Sequence, residues 1–426
     1  MMCEMIDSGI EWIGKIPQKW ELKRIQFCLQ EINEKNSPIK TNQILSLVKN
    51  KGVMLYEDKG NQGNKAKEDL SQYKIAYPNT LIVNSMNILI GSVGISNYIG
   101  CVSPVYYVFK ETENSDLRYI NYIFNTKEFQ SELRKYANGI LEIRLRVSAS
   151  DIFKRKIPFP HKTIQITIAD FLDEKCAEID NLASDIEKQI EILEGYKKSI
   201  ITEIVTKGLD PDVELKDSGI EWIGKIPKDW ECMKIKYVAT LSRGIFGHRP
   251  RNDPKYYDGK YSFIQTGDVA CATKVITNYS QTLNEFGKNV SKAFKKGTIA
   301  FTLAANVGDV SILGFDAYFP DSIMAIIPYK EIDNVYMYYI LSIMKSEFLR
   351  AAIINTQLNL NVERVGNLCI PITFNEIEQK RIVEYLDEKC TEIDGAIEDK
   401  KEQVKILERY KKTLIYEYVT GKKEVE

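Results

Sequence analysis

From residue 172 onward the chain places apolar residues in alternating steps of four and three. The series reads Leu172, Cys176, Ile179, Ala183, Ile186, Ile190, Leu193, Lys197, Ile200, Ile204. This is the spacing of a coiled-coil seam. Adding 214 to each number gives Leu386, Cys390, Ile393, Ile397, Lys400, Val404, Leu407, Lys411, Leu414 and Tyr418, the same stripe again. The pattern predicts two long helices, 164–208 and 377–426, the first stopped by Gly208 and Pro211. About forty residues at 1.5 Å each make a rod of about 60 Å, the length of a spacer. Two matching seams in one chain predict that the helices pair with each other. The expected interface is Leu172, Ile179, Ile186, Ile190, Leu193 and Ile200 against Leu386, Ile393, Ile397, Val404, Leu407 and Leu414. An antiparallel pair would set whatever hangs on equivalent ends at opposite ends, about a pseudo-twofold axis.

Outside these stripes the period shortens toward two. In residues 22–160, short runs at 43–48, 80–83, 87–90 and 105–109 are β-branched or aromatic and bounded by Gly, Pro and Asn, and so read as strands. Residues 116–137 then carry Leu117, Ile120, Ile123, Phe124 and Leu133 at helical spacing. In residues 232–373 the strands fall at 262–265, 298–302, 310–313 and 323–327 and the helix at 334–354, in the same order. The fold class is α/β (α+β): two α/β modules joined by two long antiparallel coiled-coil helices, with an internal repeat.

The repeat is also literal. Residues 7–21, DSGIEWIGKIPQKWE, return at 217–231 as DSGIEWIGKIPKDWE, with thirteen of fifteen positions identical. LDEKCAEID at 172–180 returns at 386–394 as LDEKCTEID, and ILEGYKK at 192–198 as ILERYKK at 406–412. All four tryptophans, Trp12, Trp20, Trp222 and Trp230, lie in the short blocks. At repeated positions they are expected to pack, clamping each half onto the long segments. The resulting order is a first module (1–163, with block 7–21), a helix (164–208), a second module (209–376, with block 217–231) and a helix (377–426).

Composition adds limits. A chain of 426 residues with 44% hydrophobic and 27% charged residues is an ordinary globular protein of two or three domains. The first ten residues have neither a basic start nor an apolar run, and no stretch is long enough to span a bilayer, so a cytoplasmic protein without a membrane partner is expected. Eight cysteines lie scattered without a C-x-x-C pair, and the only histidines are His161 and His248. Buried free thiols, no metal site and no histidine-based catalysis are the expected reading.

The net charge of −1 conceals a division. Residues 22–160 hold 20 Lys and Arg against 13 Asp and Glu, and residues 232–373 hold 16 against 11, leaving the helices and short blocks acidic. Basic modules on an acidic frame suit phosphate contacts. In the second module, Arg243, His248, Arg249, Arg251 and Asn252 crowd one glycine-containing loop before Tyr256 and Tyr257. Arg pairs bidentately with guanine, and Asn or Gln with adenine, so Arg249, Arg251, Asn252 and Gln265 are candidate base readers. Lys292, Lys295 and Lys296 are candidate phosphate contacts. The corresponding polar stretch of the first module holds Lys49, Lys51, Lys59, Asn61, Lys65 and Lys67, and later Arg144 and Arg146 alternate with apolar residues as on a strand face.

The paired DSGIEWIGKIP-x-x-W blocks, each followed by a variable module ending in Ile157-Pro158-Phe159-Pro160 or Ile370-Pro371 and then by a long helix with LDEKC-x-EID, resemble the specificity subunits of type I restriction-modification systems. Within the modules, Gly91-Ser92-Val93-Gly94, Gln265-Thr266-Gly267-Asp268 and Asn306-Val307-Gly308 resemble that family's target recognition domains. Asn79 departs from it, standing where many relatives have glycine after the proline. The resemblance implies a bipartite site in double-stranded DNA. Each recognition domain would read one half-site, and the helices would set the spacer and dock two modification subunits, with restriction subunits joining them. No cofactor is implied in this chain; S-adenosylmethionine, ATP and Mg would belong to partner chains. In keeping with this, the sequence has no Asn-Pro-Pro-Tyr-type motif and no Walker A loop, and Pro211-Asp212 with Glu214 and Lys216 is too tightly spaced for a nuclease. A self-sufficient nuclease or methyltransferase, and a protein-binding adaptor built on a coiled coil, stand as the alternatives.

Overall fold

The computed structural model describes residues 4–49, 51–60, 65–139, 145–354 and 358–425. The chain folds as two compact units, one of Met1–Glu187 with Lys401–Glu426 and one of Lys188–Lys400. The helices Lys162–Lys207 and Glu376–Val419 run through both, at 46 and 44 residues, or about 69 and 66 Å. The second ends at Val419, short of the expected 426, because Gly421 turns left-handed (φ 70°) and closes it.

Within each unit the two helical segments are antiparallel. In the first, Phe171 packs on Tyr418 with ring centroids 4.5 Å apart, and Lys411 Nζ lies 2.6 Å from Asp180 Oδ2. In the second, Lys197 Nζ lies 2.7 Å from Asp394 Oδ2, and Lys400 Nζ donates to Gln189 Oε1 at 2.6 Å. All twelve apolar seam positions are buried or half-buried; Leu172 and Leu386 are fully so, and Ile190, Leu193, Ile200, Val404 and Leu407 are half-buried. Near the end of the first helix, Ile201 and Val205 take over the buried face. Lys197 and Lys411 are the same seam position 214 residues apart, and so are their partners. A lysine at a seam weakens packing unless a carboxylate meets it, and that requirement fixes register.

The units share a frame. In the first, strands Leu29–Ile32, Tyr106–Glu111, Thr80–Asn84 and Val93–Ser96 are neighbours in that order. In the second, Ala239–Arg243, Ile323–Pro328, Ile299–Thr302 and Val310–Leu313 repeat it, with Val275–Ile276 added at the edge. Residues 87–90 form a 3-10 turn (Ile88–Ile90), not the expected strand, because Gly91 (φ 83°) reverses the chain there. The expected helix 116–137 is two helices, Leu117–Phe124 and Lys127–Arg134, since Thr126 Oγ1 accepts from Phe129 N–H and starts the second. The expected helix 334–354 divides likewise into Asn334–Ile343 and Lys345–Ala351. Asn79 adopts φ 58°, the left-handed turn that its side chain tolerates in place of glycine.

The repeated blocks clamp as expected. Tyr416 Oη donates to the Trp12 carbonyl at 2.9 Å, and Trp230 Nε1 donates to Glu378 Oε1 at 3.1 Å. Trp12 and Trp230 are buried, Trp20 and Trp222 half-buried. Of the cysteines, Cys28, Cys101, Cys176 and Cys390 are buried thiols, but Cys232 and Cys369 are half-buried and Cys271 is exposed.

One polar joint recurs in both units. Gln165, wholly buried at the first turn of its helix, accepts from Asp116 N–H at 3.0 Å and donates to the carbonyls of Pro160 (2.8 Å) and Asn114 (3.3 Å). Gln379, 214 residues on, accepts from Asp333 N–H at 2.6 Å and donates to Thr373 (2.8 Å) and Glu331 (3.0 Å). Each glutamine thereby fastens a module to its long helix. Replacing Gln165 or Gln379 with Leu orphans these buried backbone groups and is expected to cost about 3 kcal/mol, since each unmet group costs about 1–3 kcal/mol. A urea unfolding midpoint unchanged from wild type would contradict this.

Candidate nucleic-acid interface

The shared frame is interrupted at one place. Between the first and second of its four shared strands in chain order run residues 33–79 in the first unit and 244–298 in the second, and these are built differently. The first insertion forms a hairpin, Leu45–Val48 with Gly52–Leu55, and contributes Lys74–Ala76 to a pair with Gly100–Val102. The second contributes strands to a separate sheet ordered Gln281–Leu283, Tyr257–Phe263, Ala317–Phe319, Lys292–Phe294. Apart from Arg144, Arg146 and Arg243, every candidate contact residue lies in these two insertions.

In the second unit the structure gathers three arginines around Asp321, in the turn between Ala317–Phe319 and Ile323–Pro328. Arg243 Nε donates to the Asp321 carbonyl at 2.7 Å. Arg249 Nη2 donates to Asp321 Oδ2 at 3.2 Å, and its Nη1 to the carbonyls of Phe246 (2.7 Å) and His248 (2.8 Å). Arg251 Nη2 donates to the same Oδ2. Lys292 joins them, donating to Ser242 Oγ at 2.7 Å beside Arg243. Gly244 permits the crossing: a Cβ there would stand 2.2 Å from the Pro320 oxygen, so any side chain would force the loop away from the turn.

Aromatic rings carry this loop. Phe246 is buried beneath it and stacks with Tyr257 at 5.8 Å and 20°, while the Tyr257 hydroxyl donates to the Arg251 carbonyl. His248 lies over Tyr256 at 4.2 Å, with Nε2 3.2 Å from Asp253 Oδ2. His248 is thus a loop fastener as placed here, and Asn252 is exposed at the loop tip.

The other second-unit candidates stand apart. Lys295 Nζ pairs with Asp316 at 2.8 Å, and Lys296 donates its backbone N–H to the same carboxylate at 2.9 Å. These bonds hold the Asp316 carboxyl below its ordinary pKa and the Lys295 ammonium above its own. Asp316 precedes the strand that Asp321 follows, so this pair marks the other end of Ala317–Phe319. Gln265 begins the helix Thr266–Cys271 and donates to Gln281 Oε1 at 3.0 Å.

In the first unit Lys49, Lys59 and Lys65 line one groove of about 390 Å³ with Tyr56, Tyr73, Tyr106, Asn84 and Asn87. Lys59 Nζ sits 4.0 Å over the Tyr56 ring, a cation–π contact. Lys51, in a turn, and Lys67, in irregular chain, are both exposed. Arg146 exchanges two backbone hydrogen bonds of 2.9 Å with Asn138, as a strand residue would, though as an isolated bridge. Asn61 and Arg144 lie outside the described residues.

The sequence reading missed Asp321, which is 70 residues from Arg251, and the groove tyrosines, which come from separate segments of the chain. Neither leaves a local signal. Among the described residues, no group of three or more His, Cys, Asp and Glu is placed to hold a metal ion, and no helix is long and apolar enough to cross a membrane.

Comparison with known proteins gives concordant matches. A family model described as the type I restriction modification DNA specificity domain matches residues 227–406. The type I restriction enzyme MjaVIII specificity subunit of Methanocaldococcus jannaschii is 25% identical over 440 residues, covering 97% of this chain and 95% of the relative. The MjaIX specificity subunit of the same organism is 30% identical over 211 residues, 46% of this chain and 45% of the relative. Among solved structures, a chain from work on complex assembly and conformational transition of the type I R-M system aligns with a TM-score of 0.72 at 14% identity, over 95% of this chain and 98% of that one. The HsdS subunit from Thermoanaerobacter tengcongensis aligns with a TM-score of 0.50 at 14% identity, over the same shares. At that identity the structural likeness speaks for the fold alone, while the family model over residues 227–406 and the full-length relatives make this chain similar in sequence to the specificity subunits of type I restriction-modification systems.

Proposed function

We propose that this chain is the DNA sequence-specificity subunit of a type I restriction-modification complex, active in the cytoplasm in defence against foreign DNA. It binds a bipartite site in double-stranded DNA. The first module (1–163) reads one half-site and the second (209–376) the other, while the helices 164–208 and 377–426 set the unread spacer. The observation that carries this reading is the placement of the basic candidates on two dissimilar insertions of one repeated frame. A duplicated scaffold with non-duplicated contact surfaces suits two different half-sites. The chain itself does no chemistry; adenine methylation, with S-adenosylmethionine, and ATP- and Mg-dependent cleavage fall to modification and restriction subunits.

The long helices carry a repeated exposed pair that supports docking of two identical modification subunits. Ile192 and Tyr196 are 69% and 56% exposed, and their counterparts Ile406 and Tyr410 are 51% and 53% exposed. Residues four apart share a helix face, and paired apolar and aromatic side chains left in water mark contact sites.

Three outcomes follow. Arg249→Ala or Arg251→Ala weakens recognition of one half-site only, by about 1–3 kcal/mol for a bidentate base contact; gel-shift competition against unrelated DNA checks it, and an equal loss on both DNAs would make these phosphate contacts. Inserting four residues in both helices, near Gln189 and Gln403, lengthens the spacer and leaves the half-sites unaltered, as read by mapping methylated adenines. Ile192→Asp with Tyr196→Asp reduces bound modification subunits from two to one by native mass spectrometry, and adding Ile406→Asp with Tyr410→Asp abolishes binding. The whole reading fails if the chain with its modification subunit shows no sequence-preferring DNA binding, or if the chain alone methylates DNA with S-adenosylmethionine.

A further inference from the structure

Asp321 is an unusual residue to find among basic DNA-contact candidates. Its Oδ2 takes hydrogen bonds from both Arg249 and Arg251, and its carbonyl takes one from Arg243. Its Oδ1 is shielded from solvent and has no hydrogen-bond partner among the described residues. A carboxylate left half-satisfied in this way is not arranged for its own solvation, since a buried lone pair without a donor is unfavourable. What it does achieve is to draw two guanidinium groups from either side of Pro250 onto one oxygen atom. The backbone supports the same end: Gly244 lets the loop lie on the Pro320 carbonyl, and the Tyr257 hydroxyl ties down the Arg251 carbonyl.

An arginine is a long, rotationally free side chain, and on an open surface it contacts phosphates as readily as bases. Reading a guanine edge requires the planar fork to be held in one orientation before the DNA arrives. An acidic residue lowers the general pull on phosphate and fixes that orientation at once. Resting on the DNA-recognition reading above, we propose that Asp321 is the positioning residue of the second unit: it holds Arg249 and Arg251 side by side so that their remaining N–H groups meet guanine edges in the major groove, trading non-specific phosphate affinity for discrimination at one half-site.

The test uses the full chain in complex with its modification subunits, after the site has been read from methylated adenines. Four duplexes serve as probes: the mapped site, the same duplex with the first half-site scrambled, the same with the second scrambled, and an unrelated sequence. For Asp321→Asn, binding to unrelated DNA is expected to strengthen two- to five-fold at low salt. The slope of log affinity against log salt should steepen by about 1, because released guanidinium groups find phosphates. Discrimination should fall about ten-fold at one half-site and stay unchanged at the other. Asp321→Glu, which keeps the charge and the acceptor, should restore part of the discrimination. Arg251→Lys, which keeps the charge but loses the fork, should lower discrimination without altering the salt slope, and so tests the same point in a chain whose carboxylate is intact. A merely structural role would weaken binding to all duplexes together, and that result, or unchanged discrimination in both Asp321→Asn and Arg251→Lys, would overturn the proposal. Absence of discrimination in the wild-type complex would overturn the recognition reading itself.

Discussion

The apolar stripe along each long helix has no partner on its own helix, and burying it is the condition on which the rest of the structure depends. A helix of more than forty residues in water gains little from propensity alone; its stability comes from packing an amphipathic face. Here the face available is the equivalent face of the other long helix. Each unit is consequently assembled from chain segments distant in sequence, residues 172–187 with 401–419 in one and 188–207 with 376–400 in the other. The lysines at one seam position of each repeat then act as registers, because a half-buried ammonium is tolerated only opposite a carboxylate, and Asp180 and Asp394 are where it is met.

Duplication makes this arrangement economical. A joint that works once works twice, and the buried glutamines show it at atomic detail, with the same three backbone groups satisfied in each copy. The tyrosine–aspartate contact does likewise: Tyr122 donates to Asp173, and Tyr339 to Asp387, where 173 and 387 are equivalent positions. These joints lie between module and helix, where any shift would be carried outward along the module. The insertions at residues 33–79 and 244–298 are free of that requirement and have diverged into a hairpin in one copy and a separate sheet in the other. Function is thereby separated from scaffold: the joints repeat in both copies, and the insertions differ between them while the frame strands stay in place.

The second insertion shows how a charged surface can be made selective. Arg243, Arg249, Arg251 and Lys292 would by themselves form a patch attractive to any polyanion. One carboxylate in their midst ties down the two most flexible groups, and the aromatic bed of Phe246, Tyr256 and Tyr257 holds the loop from below. The first insertion uses another means, with Lys49, Lys59 and Lys65 around a tyrosine-lined groove. The chemistry differs between copies where the proposed function requires difference.

The chain alone was enough to reveal the duplication, the two long helices and the stripes they bury, because each is written in a period, and a period persists whatever the chain packs against; of the frame strands, those near 80, 106, 299, 310 and 323 were legible, but Leu29–Ile32, Val93–Ser96 and Ala239–Arg243 were not. Leu172 to Ile204 and Leu386 to Tyr418 were legible for that reason, as were the clamping tryptophans. Where a single residue overrides a period, as Thr126 does in splitting a helix or Gly91 in turning a strand into a 3-10 turn, periodicity misled. The basic candidates were legible as composition only. Which of them converge was decided by the tertiary structure: Arg251 meets Asp321 across 70 residues of chain, Lys295 is taken by Asp316, and Lys49 and Lys65 reach one groove from separate elements. Side-chain placement around a site depends on distances between loops, and no local pattern along the chain encodes those distances.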